Sequence, residues 1–248
     1  MENTVNVSRS SLANKKIVIL GGSSGIGLAT ARAAAAEGAE VIIVSSNQSR
    51  VDAALGQLPA NSKGFVTDLT NEQQIKHLFN TISKFDHLVF TAGESLHLAN
   101  ISDLSLVDAQ RFFNVRYWGA FTAVKYASPN INPGGSITLS GGTVSRRPQS
   151  GWSLGASICT AMEGFTRAMA VELAPIRVNM VCPGLVKTNL WSNMPQADQD
   201  SLFNSYANIL PVKFVAEADD VAESYLYLMR QRYSTGEVIV VDGGGVLV

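Results

Sequence analysis

The sequence predicts an α/β protein: a parallel sheet covered on both faces by helices. Three observations carry this. Short, β-branched apolar runs alternate with amphipathic or Ala-rich stretches along the whole chain. The runs are continuously apolar rather than alternating with polar residues, as expected of strands buried on both faces. A glycine-rich turn joins the first run to the first helical stretch. No internal repeat, low-complexity tract or Pro/Ser linker divides the 248 residues, so one domain over 1–248 is expected.

The elements follow in order. Lys16–Leu20 is the first strand. Leu28–Glu37 is a helix built on alanine, the best helix former, and Gly38 stands where it should stop. Val41–Val44 is the second strand, and Arg50–Leu58 a short helix ended before Pro59. Gly64–Thr67 is the third strand. Thr70 and Gln73 have capping-box spacing, predicting a helix over Asn71–Ser83. His87–Thr91 is the fourth strand. A long helix over Leu106–Tyr126, a fifth strand Ser136–Ser140, a helix Gly155–Leu173 and a sixth strand Ile176–Val181 continue the pattern. Helix Glu217–Gln231 and strand Glu237–Val241 complete it. Residues 189–215, with Pro195 and Pro211, are the least regular stretch. They follow the sixth strand, where α/β sheets place their ligands, and are expected to form a substrate lid.

Composition excludes several classes. The chain is 46% hydrophobic and 16% charged, unlike a disordered polymer. Nineteen Lys and Arg face twenty Asp and Glu, so there is no basic field for nucleic acid. No apolar stretch approaches the roughly 20 residues of a membrane span. The first residues have no signal-peptide core, and Cys159 and Cys182 make neither a disulfide framework nor a zinc site. A cytoplasmic protein acting on a small molecule is expected. His77, His87 and His97 fall on different elements and predict no metal site.

Strand Lys16–Leu20 runs into Gly21-Gly22-Ser23-Ser24-Gly25-Ile26-Gly27 and then a helix. Gly21 allows a tight turn, Gly25 leaves room for a pyrophosphate, and Gly27 lets the helix pack on the strand. The helix N-terminus offers free N–H groups to an anion.

This G-x3-G-x-G spacing resembles that of the short-chain dehydrogenase/reductase family, and the resemblance spans nearly the whole chain. Asp68 matches the family's adenine-binding carboxylate. Ala92-Gly93, Arg177-Val178-Asn179 with Pro183-Gly184, Thr188, and Val241-Asp242-Gly243-Gly244 match further motifs. Leu20 departs from the usual Thr, and Phe90-Thr91 from the usual Asn-Asn. The resemblance implies one Rossmann-like, doubly wound domain with seven parallel strands in order 3-2-1-4-5-6-7. It assigns Gly21, Ser23, Ser24, Gly25, Ile26, Gly27, Asp68, Leu69, Ala92, Gly93, Pro183, Gly184, Val186 and Thr188 to a nicotinamide dinucleotide. It also implies a homodimer or homotetramer formed through the two long helices.

At the end of the second strand an NAD site usually carries Asp or Glu. Here Ser45, Ser46 and Asn47 follow Val44, with Arg50 nearby. No carboxylate repels a 2′-phosphate, which favours NADP(H) over NAD(H). An ordinary polar turn is the other reading of these residues.

The family transfers hydride with four side chains, Asn, Ser, Tyr and Lys. Lys lowers the pKa of the Tyr phenol, which otherwise titrates near about 10. Counting from Met162–Leu173, the Tyr position is Gly155 and the Lys position is Cys159. Counting from Ile137, the Ser position is Gly142, with Ser140 the nearest hydroxyl; from Gly119, the Asn position is Arg116. All four are changed, and the pocket should be larger. Arg116 is a poor proton donor but suits an anion or carboxylate; a structural ion pair is its other reading. Arg116 and Ser140 are the candidate catalytic residues. Cys159 reads as packing, Trp152 as a pocket cap or loop packing, His97 as a loop residue near the pocket, and Arg146-Arg147-Pro148 as a solvent-facing loop.

These residues imply an oxidoreductase delivering hydride to a substrate that needs no Tyr acid, such as an iminium, and able to shape a cyclisation in its enlarged pocket. The alternatives are a catalytically inactive NADP(H)-binding sensor or partner subunit, and a carbonyl reductase with a relocated donor such as Ser140.

Overall fold

A computed structural model of the chain describes residues 11–96 and 98–248. The elements are β1 (Lys16–Leu20), α1 (Gly25–Ala36), β2 (Glu40–Ser45), α2 (Gln48–Leu55), β3 (Lys63–Val66), α3 (Glu72–Ile82) and β4 (Phe85–Phe90). They continue with α4 (Leu106–Phe112), α5 (Ala120–Ala127), β5 (Ile131–Ser140), α6 (Ser153–Glu172), β6 (Arg177–Pro183) and β7 (Val186–Lys187). The chain closes with α7 (Gln196–Ile209), β8 (Ala216–Glu217), α8 (Ala218–Arg230) and β9 (Val238–Val241). Seven parallel strands form the main sheet in the order β3-β2-β1-β4-β5-β6-β9. This is the expected doubly wound order. The two-residue strands β7 and β8 pair separately and make the seventh sheet strand the ninth in the chain.

The apolar runs are continuous because each feeds two cores. In β1, Val18 and Leu20 join the core beneath α3, α5 and α6, while Ile17 and Ile19 join the core beneath α1 and α8. Small buried side chains, Ala31 and Ala34, let α1 lie close to α8. Gly38 ends α1 with φ of +85°, in the left-handed region that glycine reaches without steric cost.

Three local expectations are corrected. Helix α3 is capped by Asn71, whose side chain accepts from Gln73 N and Gln74 N, not by a Thr70/Gln73 box. The Thr70 hydroxyl is diverted to Asp68. The helix expected over Leu106–Tyr126 is interrupted by a π-helical turn over Asn114–Gly119. There Trp118 N reaches back to Phe113 O. The cause is tertiary: the Glu94 carboxylate takes the Val115 N–H at 3.0 Å, removing that donor from the helical ladder. Residues 189–215, expected to be irregular, contain the 14-residue helix α7, in which no residue is fully buried.

Candidate active site

The C-terminal ends of β1, β2, β4, β5 and β6 open into one cleft of about 1160 Å³. Its first half is built by the glycine turn. Gly21 has φ of +89°, and a β-carbon there would stand 2.5 Å from Ala92 N. A β-carbon on Gly27 would stand 2.2 Å from Gly21 O and 2.4 Å from Thr91 Oγ1. Only glycine lets strand, turn and helix meet this closely. Gly25, with φ of +50°, has only Thr188 near its open side, at 3.4 Å. No acidic residue stands in the first turn of α1, so its N-terminus is left positive toward the cleft.

The next portion lies along β2 and β3. Ser45, Ser46, Arg50, Asp68 and Leu69 line it. Asp68 Oδ1 accepts from Thr70 N and Thr70 Oγ1, each at 2.8 Å, which fixes the carboxylate at the rim. The Arg50 guanidinium forms no hydrogen bond or ion pair with another described residue. Asn47 is not among the lining residues; its side chain accepts from Arg50 N at 3.0 Å and caps α2. The residues present therefore fit a dinucleotide. They supply a bare glycine cradle at a helix N-terminus, a carboxylate at the far rim, and a free guanidinium where β2 ends. Pro183, Gly184, Val186 and Thr188 close the other side.

Beyond the cradle the cleft widens. Gly142, Gly155, Cys159 and Arg116, four positions scattered over 44 residues of sequence, all line it. A β-carbon on Gly142 would meet Cys159 Sγ at 3.4 Å; one on Gly155 would meet only Trp152 and Val144, at 3.6 and 3.8 Å. The space is real, and its walls combine apolar Leu96, Phe112, Val144, Trp152, Ile158 and Met194 with polar Glu94, Arg116, Arg147 and Gln149. Among the described lining residues there is no lysine. Burial pushes the Cys159 thiol up to about 12, so it is neutral and serves as packing.

Arg116 is held from three sides. Its Nη2 donates to the Glu94 carbonyl, its Nε stands 3.6 Å from Glu94 Oε2, and its Cζ lies 5.4 Å from the Phe112 ring centroid. Burial lowers its pKa, and the Glu94 carboxylate works against that. A guanidinium remains charged under any ordinary condition. Arg116 forms a structural ion pair, and it also lines the cleft.

Ser140 lines the cleft, but its hydroxyl is committed. It donates to Phe90 O at 2.6 Å, and since a carbonyl can only accept, the Tyr225 hydroxyl at 2.6 Å donates to Ser140. Burial raises the Tyr225 pKa, so this donor keeps its proton. His97 lies outside the described residues. His77 sits on α3, and His87 Nδ1 stands 2.8 Å from Ser136 Oγ inside the sheet, both away from the cleft. The loop Arg146-Arg147-Pro148 is exposed, as expected, and its two arginines are also tied to the rest of the chain. Arg146 pairs with Glu163 at 3.7 Å, and Arg147 donates to Gly245 O at 2.9 Å and lines the cleft. The C-terminal turn draws it in, a contact across 98 residues with no local signal. Glu94, Tyr206 and Tyr225 also reach the cleft without a sequence motif to announce them.

Sheet order, glycine cradle and strand-end cleft define a dinucleotide-binding α/β domain. The chain belongs to the short-chain dehydrogenase/reductase family of oxidoreductases: residues 8–248 match the model of an SDR-like Rossmann domain. It is 31% identical over 256 residues to the short-chain dehydrogenase/reductase fsr5 of Gibberella fujikuroi, covering 96% of this chain and 97% of that protein. Among solved structures, a small-chain dehydrogenase in complex with NADPH is 35% identical with a TM-score of 0.83, covering 95% of this chain and 100% of that one. The MalC reductase/Diels-Alderase of Malbranchea aurantiaca is 29% identical with a TM-score of 0.90, covering 97% of this chain and 100% of that one.

Proposed function

We propose that this chain is an NADP(H)-dependent oxidoreductase that serves a substrate needing no proton from the enzyme, such as an iminium cation. The observation that carries the reading is the contrast within one cleft. The glycine cradle is complete, while Gly142, Gly155 and Cys159 leave no phenol–lysine pair beside it. When bound, the dinucleotide supplies or accepts hydride. The chain's own residues hold it through the Gly21–Gly27 turn, orient the substrate between Trp152, Phe112 and Met194, and exclude water. An iminium becomes a neutral amine on gaining hydride. A ketone becomes an alkoxide and requires a donor or oxyanion support. Ser140 is committed to Phe90 O and is a poor source of that proton. Arg116 is suited to fix an anionic or carbonyl oxygen elsewhere on the substrate.

Preference for NADP(H) rests on Ser45, Ser46 and Arg50, which line the cleft at the end of β2, where Ser45, Ser46 and Asn47 stand in place of a carboxylate that would oppose a 2′-phosphate. The NADPH complex of a relative at 35% identity supports it. The relative described as a reductase/Diels-Alderase supports a cleft that also shapes a cyclisation. A homodimer or homotetramer is supported by Trp118 on the π-helical turn and Phe121 on α5, which are 55% and 42% exposed. The two free cysteines suit the cytoplasm, and helix α7, with Leu202 and Tyr206 on the cleft, suits a lid.

The test is NADPH consumption with matched panels of ketones and preformed cyclic iminium ions. Iminium turnover with silent ketones is expected. Comparable ketone turnover would show that a proton donor operates and would overturn the reading.

A further inference from the structure

A second cavity, of about 320 Å³, lies at the opposite edge of the sheet, where β6 and β9 begin. Arg177, Arg232, Tyr233, Ser234, Thr235 and Glu237 line it. Arg177 is only 8% exposed. Its Nη1 and Nη2 donate to Leu228 O and Met229 O, at 2.7 and 3.0 Å, closing the C-terminus of α8. That helix end offsets about half a unit of charge, so part of the Arg177 charge stays uncompensated. Arg232 adds a second cation to the same cavity and forms no hydrogen bond or ion pair with another described residue. Burial, and then the Arg232 charge, hold Arg177 below the ordinary guanidinium value.

The remaining lining supplies donors. Thr235 Oγ1 accepts from Val178 N at 3.1 Å, so its own proton is free to point elsewhere. Ser234 and the wholly exposed Tyr233 also line it. Glu237 is the one carboxylate among the described lining residues, and it pairs with neither arginine. Two guanidinium groups and hydroxyl-bearing side chains around one open cavity match a tetrahedral oxyanion, which accepts several hydrogen bonds and carries the missing charge.

We propose that this cavity is a binding site for a small oxyanion of the phosphate class, separate from the dinucleotide cleft. Occupancy would relieve the repulsion between Arg177 and Arg232 and tie the end of α8 to β6 and β9.

The test follows the melting temperature of the full chain saturated with NADPH, so that the cleft is already filled. Sodium phosphate is titrated against sodium chloride at matched ionic strength. At about ten times its dissociation constant, phosphate should raise the wild-type midpoint by roughly 3–5 °C. R232Q should lose that gain and R232K keep most of it. E237Q should bind phosphate severalfold more tightly. Arg232 is exposed, so these variants leave the fold intact, whereas removing Arg177 would strip the last carbonyls of α8. Phosphate also stabilises proteins by exclusion from their surface, and the difference between wild type and R232Q removes that effect. An equal rise in both, or a rise no larger than chloride gives, overturns the proposal. Glycerol 2-phosphate in place of phosphate distinguishes the ligands: an Arg232-dependent gain assigns the site to phosphate monoesters as well, and its loss assigns it to the free ion.

Discussion

The guanidinium of Arg116 lies on the bare Cα of Gly93, where a β-carbon would stand 2.6 Å from Cζ. Gly93 therefore does more than turn the chain after β4. Its missing side chain is the space in which the only cation of the π-helical turn is seated. Glu94, the next residue, grips that cation through its carbonyl and carboxylate. Gly93→Ala should displace Arg116, since the guanidinium is the nearest neighbour of the added methyl. Substrate KM should rise by about tenfold or more if Arg116 holds a substrate oxygen, and NADPH affinity, measured by fluorescence titration, should move less.

Removing Arg116 leaves the partly buried Glu94 carboxylate without its cation. Arg116→Met should cost roughly 1–3 kcal/mol in urea unfolding, below the figure for a fully buried pair because both side chains keep some solvent contact. The double variant Arg116→Met/Glu94→Gln should recover most of that loss. A double variant as unstable as the sum of the singles would rule out coupling between them.

Cofactor choice is tested at the end of β2. Arg50→Ala should weaken NADPH binding by about tenfold and leave NADH nearly unchanged, because only one of them carries a phosphate for the free guanidinium. Ser45→Asp should reverse the preference by placing a carboxylate against that phosphate. Equal losses for both cofactors in Arg50→Ala would exclude a 2′-phosphate role.

The enlarged cleft invites reconstruction. A β-carbon is met at 3.4 Å or more at both Gly142 and Gly155, so larger residues can be introduced there without backbone conflict. The triple variant Gly142→Ser/Gly155→Tyr/Cys159→Lys restores a hydroxyl, a phenol and an ammonium. It should raise ketone reduction by about 100-fold or more over wild type, the usual worth of a placed general acid. Iminium turnover should fall as the cleft fills.

Acid stability should depend on His87. Burial holds this imidazole near 4, well below its ordinary 6.5, with the Arg177 charge acting in the same direction. The folded state keeps the ring neutral while the unfolded chain protonates it, so the stabilisation is complete above about pH 6.5 and is lost as pH falls toward 4. The slope is roughly 1.4 kcal/mol per pH unit at most. His87→Asn should flatten the curve in urea titrations between pH 7 and 4.5.

What the sequence by itself determined was the fold and the dinucleotide cradle. Both are written locally. Continuous apolar runs such as Lys16–Leu20 report burial on two faces, Gly21 and Gly27 report a turn that side chains would block, and Gly25 a positive φ. Counting against the motifs of the family the chain resembles singled out Gly142, Gly155, Cys159 and Arg116, and all four line the cleft. The tertiary structure decided how those residues are used. The Ser140 proton is committed by Phe90 O, 50 residues away, and the Tyr225 hydroxyl, 85 residues away on α8, must then donate to Ser140. The break between α4 and α5 depends on Glu94, which lies outside the helix it interrupts. Arg147 enters the cleft because Gly245 holds it there. Hydrophobic period and turn chemistry record what a segment does with its own neighbours. They carry no record of which loops meet at the end of a sheet, and that meeting sets the direction of each proton and the partner of each charge.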